Sequence, residues 1–419
     1  MPERTERQST RPVDPSPETE VSERHRVVVI GGGNAGLSVA GRLRREGVDD
    51  IVVVEPREHH LYQPLFSHVA GGTARAGQAT RPQASVMPGG VEWIQDRVAD
   101  VTPESNSVLL TSGRRLGYEH LVVCPGIQKD WDRVPGLAEA MASPAGASNY
   151  EFELAAKASR LLRNLRRGTV VFTQPAGPAT CAGAAQKPMY LACDYWRATG
   201  VLADIRVVMV VPDPTVFGMP LIDHELNRKI AEYGIELRTR SELIEVDADN
   251  HTVVIGRVDG GERETLPYDI LHAVPPQSAP DWLKATPLPT VGDPNGFVEV
   301  DPETLRHVRF PNVWSLGDAA ATRNSKSGGA LRKQTLVLAK NLSHVLQGKE
   351  PKATYDNYSV CPFTVSRSTV VFAEFDDGYT PQPTIPFWTN LARERRLTWV
   401  FDRHILPWVY WNLILKGRA

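Results

Sequence analysis

Cysteine is scarce in this sequence: Cys124, Cys181, Cys193 and Cys361 are the only four among 419 residues. So few thiols in so long a chain exclude the disulfide framework of a small secreted domain, and any disulfide here is expected to be catalytic. Surplus charge is lacking too. The formal net charge is -2, which favours no polyanion, and no nucleic-acid motif is present. No uninterrupted apolar run reaches the ~18 residues that a membrane-spanning helix needs. Residues 1–24 carry six acidic side chains and no apolar core segment. That composition argues against a transit peptide and against a secretory signal, and reads as a disordered tail. The expectation is an intracellular protein of two or three domains that does not span a membrane and has no metal site.

What is present begins at Arg26. A β-branched run to Ile30 is followed at once by Gly31, Gly33 and Gly36 in G-x-G-x-x-G spacing, a helical stretch to Glu46, and a second apolar run 51–54 ending in Glu55. This is a βαβ dinucleotide fingerprint. Gly31 permits the tight turn, Gly33 admits a pyrophosphate, Gly36 lets helix lie on strand, and Asn34 and Ala35 open the helix whose free N–H groups face the phosphates. Glu55, 24 residues after Gly31, is placed to accept from ribose hydroxyls.

Both FAD and NAD carry a ribose, so other segments decide between them. Residues 311–320 read as a strand ending in Gly317-Asp318, about 280 residues beyond the fingerprint. They resemble the second flavin motif of two-dinucleotide-domain flavoproteins, in which the Asp holds the ribityl chain. Residues 118–126, ending in Cys124-Pro125-Gly126, resemble the strand and turn that lead into an inserted partner domain. Val98 stands where the backbone of such proteins meets the adenine.

The insert is expected over 150–275, with a helix over 152–167 and strands over 169–173 and 205–211. Directly after 169–173 a nicotinamide domain should carry a second G-x-G-x-x-G. Residues 174–179, QPAGPA, have one glycine and two prolines, and proline lacks the N–H a phosphate needs. NAD(P)H is therefore not expected as hydride donor. A C-x4-C pair on the first helix, as in disulfide reductases of this fold, is absent as well. Cys181 follows at the expected start of a helix, where the dipole would favour a thiolate. A lone cysteine is equally a small buried hydrophobe, and Cys361, 180 residues on, is not shown by spacing to meet it.

Several stretches together resemble the sulfide:quinone oxidoreductases, in the branch holding the mitochondrial enzyme and its bacterial relatives. They are 60–65 (HLYQPL), 180–190 (TCAGAAQKPMY), Ser325-Lys326, 355–362 (YDNYSVCP), 373–376 (AEFD) and 406–412 (LPWVYWN). The resemblance implies an α/β fold of two Rossmann-like domains: an FAD domain (25–149 and 276–345), an inserted, degenerate NAD-like domain (150–275), and an aromatic-rich quinone and membrane region (346–419). It implies FAD as cofactor, with Gln63 and Pro64 near it. Cys181 and Cys361 become a redox-active disulfide that hydrogen sulfide attacks, leaving a persulfide on Cys361 while electrons leave through Cys181 and the flavin to ubiquinone or menaquinone. The sulfane sulfur passes to a small acceptor such as glutathione, sulfite or sulfide. Lys326 either stabilises reduced flavin or is a solvated lysine. Cys193 and Cys124 are expected to pack in the core.

The last segment, 397–415, is rich in aromatics but broken by charge, and Arg393, Arg395 and Arg396 precede it. It reads either as a helix packed on the core or as a monotopic attachment to the inner or cytoplasmic membrane, the latter favoured by a quinone acceptor. Pro407 is expected to break or kink it into two short helices. Two rivals stay open: a type II NADH:quinone oxidoreductase, and a flavin-binding redox regulator without turnover.

Overall fold

The computed structural model describes residues 21–384 and 392–419; most of the expected tail, 1–20, lies outside them. Strand Glu23–Ile30 begins inside the expected tail and runs parallel to Ile51–Val54 and to Arg115–Val123. Val91–Ile94 extends that sheet beyond Ile51–Val54. On the far side of Arg115–Val123, the antiparallel strand Ser107–Leu110 pairs its first half and the returning strand Val313–Ser315 its second. Buried parallel strands must be apolar on both faces. Accordingly Val27 and Val29 enter one core cluster, and Val28 and Ile30 another.

A second parallel sheet has the order Gly146–Ala147, Ile270–Ala273, Gly168–Thr173, Ile205–Val210, Glu236–Arg238. The helix Phe152–Asn164 ends three residues short of the expected boundary. Val170 and Phe172 point into the same cluster as Val27 and Val29, whereas Val171 points away. One apolar core therefore runs beneath both sheets. It also takes in the helix Lys187–Ala198, the helix Ala330–Leu346 and the hairpin Ser359–Ser366/Thr369–Phe375.

The C-terminal segment does not break at Pro407. Helix Arg396–Val400 passes through a π-turn, Phe401–Ile405, into helix Leu406–Asn412. Pro407 then lies in the first turn of that last helix, where a missing N–H is tolerated. No helix among the described residues is long and apolar enough to cross a membrane.

The fingerprint glycines are fixed by backbone. Gly31 has φ +103°, and a methyl on Gly36 would lie 1.8 Å from the Gly31 carbonyl oxygen. Gly33 has no atom within 4 Å of such a methyl. Gly36→Ala should cost about 3 kcal/mol through overpacking against backbone and lower the thermal midpoint by several degrees, while Gly33→Ala leaves the midpoint of the flavin-free protein where it is. Scanning fluorimetry of both checks this; a Gly36→Ala protein as stable as its parent would refute the close helix–strand contact.

Candidate active site

The loop 31–36 delivers an uncapped helix N-terminus: no side chain bonds to the first turn of Asn34–Arg45. Glu55 Oε2 accepts the Gly32 N–H (2.8 Å) and Oε1 the Arg57 N–H (3.0 Å). The acid expected on a ribose thus also braces the loop, and each carboxylate oxygen retains a further lone pair. Open room lies over Gly33 and over Gly126. Gln63 and Pro64 are exposed at the start of helix Pro64–Ala70, and Pro64 Cγ and Asn34 Nδ2 stand 3.8 and 3.9 Å from where Gly328 would carry a Cβ. A Cβ on Gly317 would lie 3.5 Å from Ala35 Cβ. Fingerprint, Gln63-Pro64 and Gly317-Asp318 thus border one opening. Free helix N–H groups, room above Gly33 and an adjoining carboxylate suit a dinucleotide. Val98 opens the outer strand Val98–Thr102 with its side chain buried, which leaves its backbone for any contact with the adenine.

The cysteine loop is tied to this opening. Thr180 Oγ1 donates to Asp318 Oδ2 (2.7 Å), Thr180 N to Gln277 Oε1 (3.0 Å) and Cys181 N to the Lys326 carbonyl (2.5 Å). From the other side comes the hairpin strand Ser359–Ser366, which sets Cys361 Sγ 3.4 Å from Cys181 Sγ. Gly183 is small because a Cβ there would come within 2.7 Å of the Cys361 sulfur. The two thiols left unrelated by spacing are neighbours.

Cys181 does not open an α-helix. It precedes a 3-10 segment, Ala182–Gln186, and the α-helix starts only at Lys187. A helix dipole is therefore not what activates it. Its thiol is held below the ordinary range first by the Cys361 S–H that donates to it, against burial, and next by the buried cation of Lys187. Cys361 is correspondingly pushed up by giving that hydrogen bond and by burial. Burial would lower Lys187, but the negative charge at Cys181 and Cys361 keeps it above its usual value. Cys181 also sits in left-handed backbone, φ +43°, a conformation that costs a non-glycine residue about 1–3 kcal/mol.

Lys326 is not solvated. It is buried, donates to the Ala320 carbonyl (2.8 Å) and lies over the Phe297 ring at 3.9 Å. Burial lowers it to about 8, against the pull of Asp318 and Asp293. It lies four residues before the start of helix Ala330–Leu346. Cys193 is fully buried, and Cys124 packs with Sγ 3.9 Å from the Gly31 carbonyl; burial raises both thiols, as befits packing residues. A cavity of about 240 Å³ persists at the ends of the second sheet's strands, lined by Thr173, Gln174, Pro175, Val274 and Pro276. This is the switch point where a second dinucleotide would lie; Pro175 there has no N–H to offer a phosphate, and Arg133 and Glu242 also line it. No cluster of metal-ligating side chains occurs among the described residues.

Sequence reading missed Thr180, Lys187, Gln277, Asn149 and Tyr150 as parts of this site. Thr180 and Lys187 at least flank Cys181 in the chain; the other three are remote and carried no local signal.

A protein-family model described as pyridine nucleotide-disulphide oxidoreductase matches residues 25–341. The chain belongs to that family of FAD-binding flavoproteins, as its paired Rossmann-like sheets and glycine fingerprint require. It is 36% identical to the mitochondrial sulfide:quinone oxidoreductase of Mus musculus over 94% of this chain and 87% of the relative. The Dictyostelium discoideum counterpart is 34% identical over 94% and 86%. Within the wider family the chain therefore belongs to the sulfide:quinone oxidoreductases. Its fold matches the crystal structure of the Aquifex aeolicus sulfide:quinone oxidoreductase with TM-score 0.79 at 18% identity, over 94% of this chain and 92% of that one.

The hydrogen bond from Cys361 makes a pH prediction. In the reduced protein, alkylation at Cys181 should rise with pH through a midpoint below the ~8.5 of a free thiol. Cys361→Ala removes the donor and should move that midpoint upward. Iodoacetamide rates followed by mass spectrometry test it, and an unmoved midpoint would deny Cys361 its part.

Proposed function

We propose that this protein oxidises sulfide at Cys181 and Cys361 and delivers the electrons through FAD to a membrane quinone. The observation carrying the reading is that two cysteines 180 residues apart have sulfurs 3.4 Å apart beside the opening bordered by 31–36 and 317–318. In the oxidised pair, hydrosulfide attacks the Cys361 sulfur, the S–S bond breaks, and Cys361 carries the persulfide while Cys181 leaves as thiolate. Lys187 stabilises that anion. A nucleophilic acceptor then takes the outer sulfur, leaving Cys361 a thiolate, and the two thiolates release two electrons as their disulfide reforms. Glutathione, sulfite or a second sulfide would serve as the acceptor. FAD, when bound, supplies the two-electron acceptor that hands on to ubiquinone or menaquinone. The residues that would hold it are Gly31, Gly33, Asn34, Ala35, Gly36, Glu55, Gln63, Pro64, Val98, Gly126, Gly317, Asp318 and Lys326.

Access to quinone is through the C-terminal segment. Leu397, Val400, Phe401, Ile405 and Trp408 are exposed at spacings that put them on one helical face. Behind them the π-turn faces inward: Asp402 meets His68 at 3.0 Å, and Arg403 donates to the Thr73 carbonyl and to Gln78. The membrane-facing part is shorter than the 397–415 expected. Tyr410, Trp411 and Leu415 are buried, with the Tyr410 hydroxyl 2.6 Å from His60 Nε2 and Arg81 over Trp411, so they are committed to the core. We assign the exposed face, with Arg393 and Arg396 beside it, to monotopic attachment.

Purified protein loaded with FAD should bleach on anaerobic sulfide and recover with a soluble quinone. Cys181→Ser and Cys361→Ser should each abolish bleaching by sulfide; bleaching by NADH and not by sulfide would sink the reading. Replacing both Leu397 and Trp408 by Asp removes two side chains worth ~1.5–3 kcal/mol each when buried. That variant should sediment with anionic vesicles at least about tenfold less while bleaching by sulfide continues. Equal sedimentation would place the membrane face elsewhere.

A further inference from the structure

Cys181 has to hold an unfavourable backbone conformation and still present its sulfur to Cys361. Its loop contains Pro175, Gly177 and Pro178, none of which fixes the direction of the Cys181 Cα–Cβ bond. The amide of Cys181 is held by the Lys326 carbonyl. Its two flanking carbonyls, those of Thr180 and of Cys181 itself, share the one proton of the Tyr150 hydroxyl, whose oxygen lies 2.9 and 3.0 Å away, and the Cys181 carbonyl accepts the Ala184 N–H (2.6 Å) as well. Tyr150 lies in the short connection between strand Gly146–Ala147 and helix Phe152–Asn164, buried against Ala185 and Val274. Its neighbour Asn149 spans Ser67 Oγ and the Ala184 carbonyl, each at 2.9 Å. The anchor therefore comes from a rigid, packed element outside the cysteine loop.

Geometry gives that hydroxyl its consequence. In extended backbone, successive carbonyls point to opposite sides of the chain, so one hydroxyl cannot reach both. Contact with both forces them to the same side, which excludes the extended state for Cys181. The amide bond to Lys326 and the Ala184 N–H on the Cys181 carbonyl add further constraints, and the residue that all three hold is left-handed, φ +43°.

We propose that Tyr150 is a positioning residue for the redox pair, its hydroxyl holding Cys181 in the backbone conformation that aims Sγ at Cys361. The inference rests on Cys181 and Cys361 being the redox pair. Without the hydroxyl, the extended state is no longer excluded for Cys181, and in that state its Cα–Cβ bond turns away from Cys361. The disulfide then closes less readily, and the thiolate left by hydrosulfide attack is no longer in place.

Tyr150→Phe removes the hydroxyl and keeps the ring. In the FAD-loaded protein, bleaching at saturating sulfide should slow by about tenfold or more, the scale expected when a reacting atom is misplaced by a fraction of an ångström. The Cys181–Cys361 equilibrium against a dithiol buffer should shift at least about tenfold toward the dithiol, with flavin content and thermal midpoint unchanged. Tyr118→Phe, which removes another buried tyrosine hydroxyl, should change neither. The dithiol equilibrium reads the pair without flavin turnover, so it decides the matter even in a variant that holds less FAD. An unchanged rate and equilibrium in Tyr150→Phe overturn the assignment. A parent protein that sulfide fails to bleach overturns the proposed function instead, while the dithiol equilibrium still reads Tyr150.

Discussion

The structure depends on the contact of Cys181 with Cys361. The first belongs to the loop after strand Gly168–Thr173 of the second sheet, the other to a hairpin after the returning segment 313–318, so nothing local brings them together. Three hydrogen bonds do it from the loop's side, to Asp318, Gln277 and the Lys326 carbonyl. From the other side the hairpin packs Phe363 and Cys361 onto Gly183. Asp318 and Lys326 lie on the segment expected to cradle a flavin. The same bonds that bring the cysteines together therefore tie the Cys181 loop to that segment.

Electrostatics follow from that contact more than from secondary structure. A buried thiol is ordinarily harder to ionise, and Cys124 and Cys193 show the effect. Cys181 departs from them because a second thiol donates to it and a buried lysine faces it. The asymmetry supports the proposed division of labour, with Cys181 as the leaving thiolate and Cys361 as the sulfur that takes the incoming sulfide. Two prolines in the loop remove N–H groups that would hold a nucleotide's phosphates. Fewer phosphate-binding N–H groups and a cysteine set against Cys361 are thus two features of a single short stretch.

The C-terminal segment answers to two environments at once. A π-turn rotates Asp402 and Arg403 inward, where polar partners on the 68–78 loop meet them, and leaves a row of large apolar side chains outside. Beyond Ile405 the chain turns back into the aromatic cluster of His60, Tyr62, Tyr410 and Trp411. Half the segment is surface and half is core. Composition alone showed only that it was both aromatic and charged.

Much of this was legible from the residues because it rests on local chemistry. Glycine spacing, β-branched runs and a terminal acid define the fingerprint through steric room and hydrogen bonding within some thirty residues, and the degraded second loop is equally local. The start of the helix after Cys181 was misread because a 3-10 turn and an α-helix share composition, and only the bonds made by the chain's ends distinguish them. Pro407 was misjudged because a π-turn before it supplies the accommodation. Lys326 looked as free as any lysine until a packed core closed over it. Tyr150 was invisible, since one hydroxyl in an ordinary turn acquires meaning only from the two carbonyls opposite. The sequence by itself determined the two-sheet α/β architecture and which cysteine stands in the altered loop, because those follow from spacing and residue type. Spacing left the partner of Cys181 open and the family resemblance named Cys361; only the tertiary structure brings the two sulfurs together and decides which groups act on them and what holds the pair in line, because these are distances between residues that the chain does not place side by side.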